Sequence, residues 1–137
     1  MGCYGGELVT LRNGDTENKV FVILMEYCPN GTLFDLLTER ENKGFNEKEL
    51  LMIAYSILEG LKNIHKAGVY HQDVKIENVL VGEDKAFKLC DFGSCSNRFI
   101  NFKNINKSEY GSIKEEIEAV TTPMYRPPEV VDPYLQY

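Results

Sequence analysis

The sequence predicts an α+β fold in which strands come first and helices follow. Residues 20–25, "VFVILM", are a continuous β-branched and apolar run, the pattern of a strand buried on both faces. Residues 45–68, "FNEKELLMIAYSILEGLKNIHKAG", repeat Leu50, Ala54, Ile57, Leu58, Leu61 and Ile64 at three- and four-residue steps, which is the period of a helix. Two short apolar runs, "NVLVG" and "AFKLC", then flank the polar "EDK" and read as two further strands.

In chain order, residues 7–11 form a first strand, and Asn13-Gly14 marks a turn into the second. "PNG" at 29–31 breaks the strand pattern, and Thr32 opens a short helix with Asp35 as its capping partner. Asn46 and Glu49 form a similar box at the start of the long helix, and Gly68 stops it. That helix delivers the chain to His71. Residues 94–120 are polar and irregular apart from "SIKEEIEAV", which has the length for a helical turn or two. The prolines of "TTPMYRPPEVVDP" disfavour a long helix there.

The chain has 137 residues, enough for one modest domain, with 26% charged and 43% hydrophobic residues. A net charge of −6 argues against a general nucleic-acid binder, which needs a basic surface. It does not exclude a nucleotide, which local cations can hold. The four cysteines, Cys3, Cys28, Cys90 and Cys95, have no zinc spacing. With no secretory signal and no long apolar span, they point to a reduced, intracellular protein. Met1-Gly2-Cys3 is a poor acylation start, because Gly6 stands where Ser or Thr belongs.

The chemistry sits in "HQDVKIENVL", residues 71–80, followed by "DFG" at 91–93. Phosphoryl transfer needs magnesium ligands, a cation for the phosphates, and a group to take the hydroxyl proton. Asn78 and Asp91 supply a neutral and a charged oxygen for a hard cation such as Mg2+. Asp73 can orient and deprotonate an attacking hydroxyl, and Lys75 can steady the transferred phosphate. Gly93 is expected to turn the chain after Asp91, and Phe92 to pack into the core. Each piece alone is weak. Their order, H-x-D-x-K-x-x-N, then D-F-G, then "TTPMYRPPE", is specific, because it follows the protein-kinase signature set.

The chain therefore resembles a eukaryotic protein kinase, and more narrowly the Numb-associated kinases, the group of the adaptor-associated and cyclin-G-associated kinases and their fungal relatives. "VILMEYC", "KGFNEKEL", "DVKIENVLV", "FKLCDFGS", "EEIEAVTTPMYR" and "PPEVVDPY" carry the likeness over nearly all of the sequence. The resemblance implies a partial protein kinase-like fold. Residues 1–25 would be the last small-lobe strands, 26–30 the hinge, and 31–137 the large lobe through Pro127-Pro128-Glu129. Met25 would be the gatekeeper, Glu26, Tyr27 and Cys28 the hinge that meets adenine, and Leu80 the pocket floor. Asp73 would be the catalytic base, Lys75 the phosphate contact, Asn78 and Asp91 the Mg2+ ligands, and Thr122 the substrate-loop residue that braces Asp73. "SIKEEIEAV" matches a helix that this group carries late in its activation segment. ATP and a Ser/Thr-bearing protein would be the substrates. Clathrin adaptor or actin-regulatory proteins would be the partners, with a cytoplasmic location, peripheral at endocytic membranes.

Two departures matter. Gln72 stands where the family has an arginine that pairs with a phosphorylated activation loop, and glutamine cannot form that ion pair. A glycine-rich loop and a V-A-I-K lysine do not precede residue 25, so low stability and weak activity are expected of this chain alone. Three readings follow: a Ser/Thr kinase core, a non-catalytic kinase-like binding module, and a small-molecule phosphotransferase. "TTPMYRPPE" speaks against the third. His71 is expected to hold its loop rather than act in catalysis. His65 is expected at the helix surface or the core edge, Cys90 as a pocket-lining residue, and Tyr125, Tyr134 and Tyr137 as packing residues.

Overall fold

A computed structural model describes residues 2–14, 16–41, 43–100 and 105–132. Strand β1 (Cys3–Asn13) pairs antiparallel with β2 (Thr16–Met25), in a register that runs from Cys3 opposite Met25 to Asn13 opposite Thr16. Gly14, at φ +60°, takes the left-handed conformation the turn requires. The strands are longer than the apolar runs, because their polar ends also pair.

The apolar run of β2 is not buried. All ten of its residues are exposed, with Phe21 at 62% and Ile23 at 51%. An apolar run specifies a strand, but burial needs a second layer, and β1 and β2 form a two-stranded sheet. Phe21 does shelter one position: a Cβ on Gly6 would come within 2.9 Å of its ring.

Helix α1 (Leu33–Glu39) starts at a full capping box, with Thr32 and Asp35 exchanging bonds. Helix α2 (Glu47–Lys66) does the same with Asn46 and Glu49. Glu49 also takes a two-pronged ion pair from Arg40, the residue that caps the end of α1, at 2.7 and 3.0 Å. The bonds from Arg40 and from the Asn46 N–H hold the Glu49 carboxyl at a pKa of about 2. One side chain thus caps α2 and ties it to α1. Gly68, at φ +70°, follows the last turn of α2 as expected.

Short strands β3 (Val79–Val81) and β4 (Phe87–Leu89) pair antiparallel. The core lies where they meet the helices: Leu33, Ile53, Val79 and Leu89 are buried, with Ile57, Leu61 and Ile64 packed against them. The α2 stripe therefore splits. Ile53, Ile57, Leu61 and Ile64 face the core, whereas Leu50 and Leu58 are exposed at 52% and 63%, and Ala54 is exposed too.

Helix α3 (Lys107–Val120) has 14 residues, well beyond the turn or two expected of "SIKEEIEAV". Asn106 explains the difference: its side chain accepts from the N–H groups of Ser108 and Glu109, so that the helix starts at Lys107, ahead of Ser112. Ile113 and Ile117 are the buried residues of α3. A short turn at Pro123–Tyr125 and helix α4 (Pro128–Val131) follow. No helix among the described residues is long and apolar enough to cross a membrane.

Candidate active site

Residues 71–78 leave α2 and enter β3 through a short helical turn at Ile76–Asn78. His71 is only 2% exposed. Its Nε2 lies 2.9 Å from the Cys90 carbonyl, and its Nδ1 lies 3.4 Å from the Asp73 N–H. A carbonyl only accepts and an N–H only donates, so the arrangement selects the neutral tautomer with the proton on Nε2. His71 thereby fastens this loop to the segment carrying Asp91, the holding role expected of it. Cys95 adds an Sγ contact to the His71 carbonyl at 3.7 Å.

Asp73 is 8% exposed and receives donors on both carboxylate oxygens. Oδ1 accepts from the Thr122 N–H at 3.0 Å and from the Thr122 hydroxyl at 2.6 Å. Oδ2 meets Lys75 Nζ at 2.8 Å and Asn78 Nδ2 at 3.1 Å. Burial pushes the carboxyl up, but the bonds from Lys75 and Thr122 outweigh it and hold its pKa at about 2. The same pairing raises the Lys75 ammonium above its ordinary value. Lys75 Nζ also reaches Thr122 Oγ1 at 2.9 Å, so three side chains from two distant segments form one network.

Asn78 is buried, and its Nδ2 also bonds the Asp73 carbonyl at 2.8 Å. The amide nitrogen is thus used inward, leaving Oδ1 as the oxygen a cation could meet. Asp91 is exposed, and one of its oxygens accepts from the Gly93 N–H at 3.2 Å. A neutral and a charged oxygen fit Mg2+, which takes its remaining ligands from phosphates and water. Among the described residues no cluster of three His, Cys, Asp or Glu side chains forms a metal cage.

Two expectations around Asp91 change. The sharp turn is at Asp91 itself, with φ +58°, not at Gly93. Gly93 serves instead by being small: a Cβ there would come within 3.1 Å of Asp91 Oδ1. Phe92 is 44% exposed rather than in the core, and its ring stands 5.5 Å from that of His71. Burial, with Asp91 nearby, pushes the Cys90 and Cys95 thiols up, which suits unreactive thiols.

The adenine-side residues are less assembled. Met25 ends β2 at 47% exposure and Tyr27 is 82% exposed. The Glu26 N–H is used by the Gly2 carbonyl at 2.9 Å, and the Glu26 carboxylate pairs with Lys88 on β4 and accepts the Gly2 N–H. Cys28 and Leu80 are half-buried, and Leu80 bridges to Thr32. A cleft of about 390 Å³ opens beside Asp73, lined by Gln72, Val74, Ile117, Thr122, Tyr125 and Arg126 among others. Gln72 itself holds a left-handed φ of +67°. His65 is exposed on α2, as expected, with its ring 5.6 Å from that of Tyr70. Tyr125 is 37% exposed, while Tyr134 and Tyr137 lie outside the described residues.

Arg126 went unnoticed in the sequence. Its side chain is 16% exposed and donates to the Thr121 hydroxyl, the Thr121 carbonyl and the Glu118 carbonyl. Its only trace in the sequence is its place inside "TTPMYR".

A buried loop presents an ionised aspartate against a lysine and a threonine, with an amide and a second aspartate beside it, the arrangement expected of a kinase-type site. The chain belongs to the protein kinase family, since the protein kinase domain matches residues 5–137. It is 38% identical over 125 residues to a Dictyostelium discoideum protein named "Probable serine/threonine-protein kinase", covering 88% of this chain and 11% of that protein. It is 37% identical over 126 residues to Actin-regulating kinase 1 of Saccharomyces cerevisiae, covering 90% of this chain and 19% of that protein. Protein kinase domain-containing protein ppk38 of Schizosaccharomyces pombe is 37% identical over 131 residues, covering 94% of this chain and 19% of that protein. The chain thus spans less than a fifth of the length of these relatives.

Proposed function

We propose that this chain carries the catalytic core of a serine/threonine protein kinase of the Numb-associated group, transferring the γ-phosphate of ATP to protein hydroxyls. The observation that supports this best is the Asp73 carboxylate, oriented by Thr122, Lys75 and Asn78. With a pKa of about 2 it is ionised at neutral pH. It aligns the incoming hydroxyl by accepting its hydrogen bond, and takes the proton as the bond to phosphorus forms. Lys75, already beside Asp73, places a positive charge at the transferred phosphate. Asn78 and Asp91 would hold Mg2+, which when bound neutralises charge on the phosphate oxygens. Met25, residues 26–28 and Leu80 would frame adenine. The Glu26 N–H is already used by Gly2, so adenine would meet the other backbone groups of residues 26–28.

The endocytic reading rests on the resemblance and on the actin-regulating name of a yeast relative. On that reading the partners are clathrin adaptor or actin-regulatory proteins, and the site of action is cytoplasmic, peripheral at endocytic membranes. A non-catalytic kinase-like module is the second reading, favoured by the exposure of Met25 and Tyr27. Thermal unfolding with and without Mg-ATP separates the two. A magnesium-dependent rise in Tm that Asp91→Asn abolishes, followed by phosphate transfer to a general protein acceptor, supports the kinase. A melt indifferent to Mg-ATP favours the binding module.

A further inference from the structure

Arg126 and Asp73 hold opposite ends of one peptide bond. The Thr121 carbonyl accepts from Arg126 Nη2 at 3.0 Å, and the Thr122 N–H of the same peptide donates to Asp73 Oδ1 at 3.0 Å. A trans peptide points its C=O and N–H in opposite directions, so the two side chains grip it from either side. Each bond polarises the other, and both partners are charged.

The same guanidinium reaches further. Nε donates to the Thr121 hydroxyl at 2.8 Å, and that hydroxyl donates onward to the Ile117 carbonyl at 2.8 Å. Nη2 also takes the Glu118 carbonyl at 2.9 Å, one of the last carbonyls of α3 that has no partner inside the helix. A cation at a helix C-terminus is favoured by the helix dipole as well. The turn at Pro123–Tyr125 brings Arg126 back over Thr121.

We propose that Arg126 is a positioning residue for phosphate transfer: it locks the Thr121–Thr122 peptide between the end of α3 and Asp73, and so sets the aim of the Asp73 carboxylate. This rests on the kinase reading, but its structural half is independent of it. Lysine cannot replace the fork, because three acceptors in different directions need separate N–H groups held in one plane.

The test combines two readouts on the 137-residue chain. The first is hydrogen exchange at the Thr122 amide. The second is kcat against the KM for ATP in phosphate transfer. Arg126→Met is expected to speed Thr122 exchange by about tenfold or more. It is also expected to lower kcat by about tenfold with the KM for ATP unchanged. Arg126→Lys retains the charge and covers the case in which Arg126→Met does not fold; it should repair neither readout. Lys114→Met, which removes only an exposed pair with Glu118 on α3, should match the parent chain. Unchanged Thr122 exchange in either folded Arg126 variant overturns the proposal. So does full rescue by lysine, or a loss confined to the KM for ATP. If the parent chain transfers no phosphate, the kinase reading falls by itself, and Thr122 exchange still decides the clamp.

Discussion

Asp73 is where the physical argument is tightest. Its carboxylate is buried and still strongly acidic, because four donors surround it. Asp73→Asn is expected to lower phosphate transfer by about a thousandfold, measured at saturating Mg-ATP. The folded pKa of about 2 lies below that of an unfolded aspartate near 3.8. The ionised form thus stabilises the fold above pH ~4, and that contribution is lost as pH falls toward 2. Urea unfolding midpoints between pH 6 and 2.5 should fall with acid, and Asp73→Asn should flatten that part of the curve. Gln72 makes a second prediction. It cannot pair with a phosphate as arginine does, so Ser94→Asp and Ser96→Asp should leave the transfer rate within about twofold of the parent. A large activation by either change would refute this account of Gln72.

At the scale of elements, short polar signals set where helices begin. Thr32, Asn46 and Asn106 each cap a helix, and the first two form full boxes. Asn46→Ala should cost about 1 kcal/mol in chemical denaturation. Asn106→Ala should cost a similar amount and fray the start of α3. The capping boxes of α1 and α2 were legible because both partners lie three residues apart in the sequence. The start of α3 was missed although Asn106 and Glu109 have the same spacing, because they lie in a polar stretch where no strong apolar period marks a helix. The α2 stripe was legible as a helix, but which apolar residues face inward was set by the neighbours, β3, β4 and α1.

The whole molecule divides into an exposed ribbon, β1 and β2, and a small core under α1, α2, β3 and β4. Stability should follow that division. Val79, fully buried, should cost about 2 kcal/mol on change to alanine. Ile23→Thr, at a position 51% exposed, should fall within about 0.5 kcal/mol of the parent. Equal losses at the two sites, read from urea midpoints, would contradict the burial pattern.

The chemistry on offer is written in the linear order of residues: Asp73, Lys75, Asn78, Asp91 and "TTPMYRPPE" identify the family because local motifs survive as spacing along the chain. The first two strands, the long helix and the capping boxes of α1 and α2 were legible in the sequence as well. Which groups meet was settled by the three-dimensional fold. It brought Thr122 onto Asp73 across 49 positions, and His71 onto Cys90 across 19. It left the apolar run of β2 exposed, moved the sharp turn from Gly93 to Asp91, and gave Arg126 its grip on the Thr121–Thr122 peptide. Contacts between distant segments and the second layer that buries a face depend on how the chain returns on itself, which periodicity and spacing do not encode.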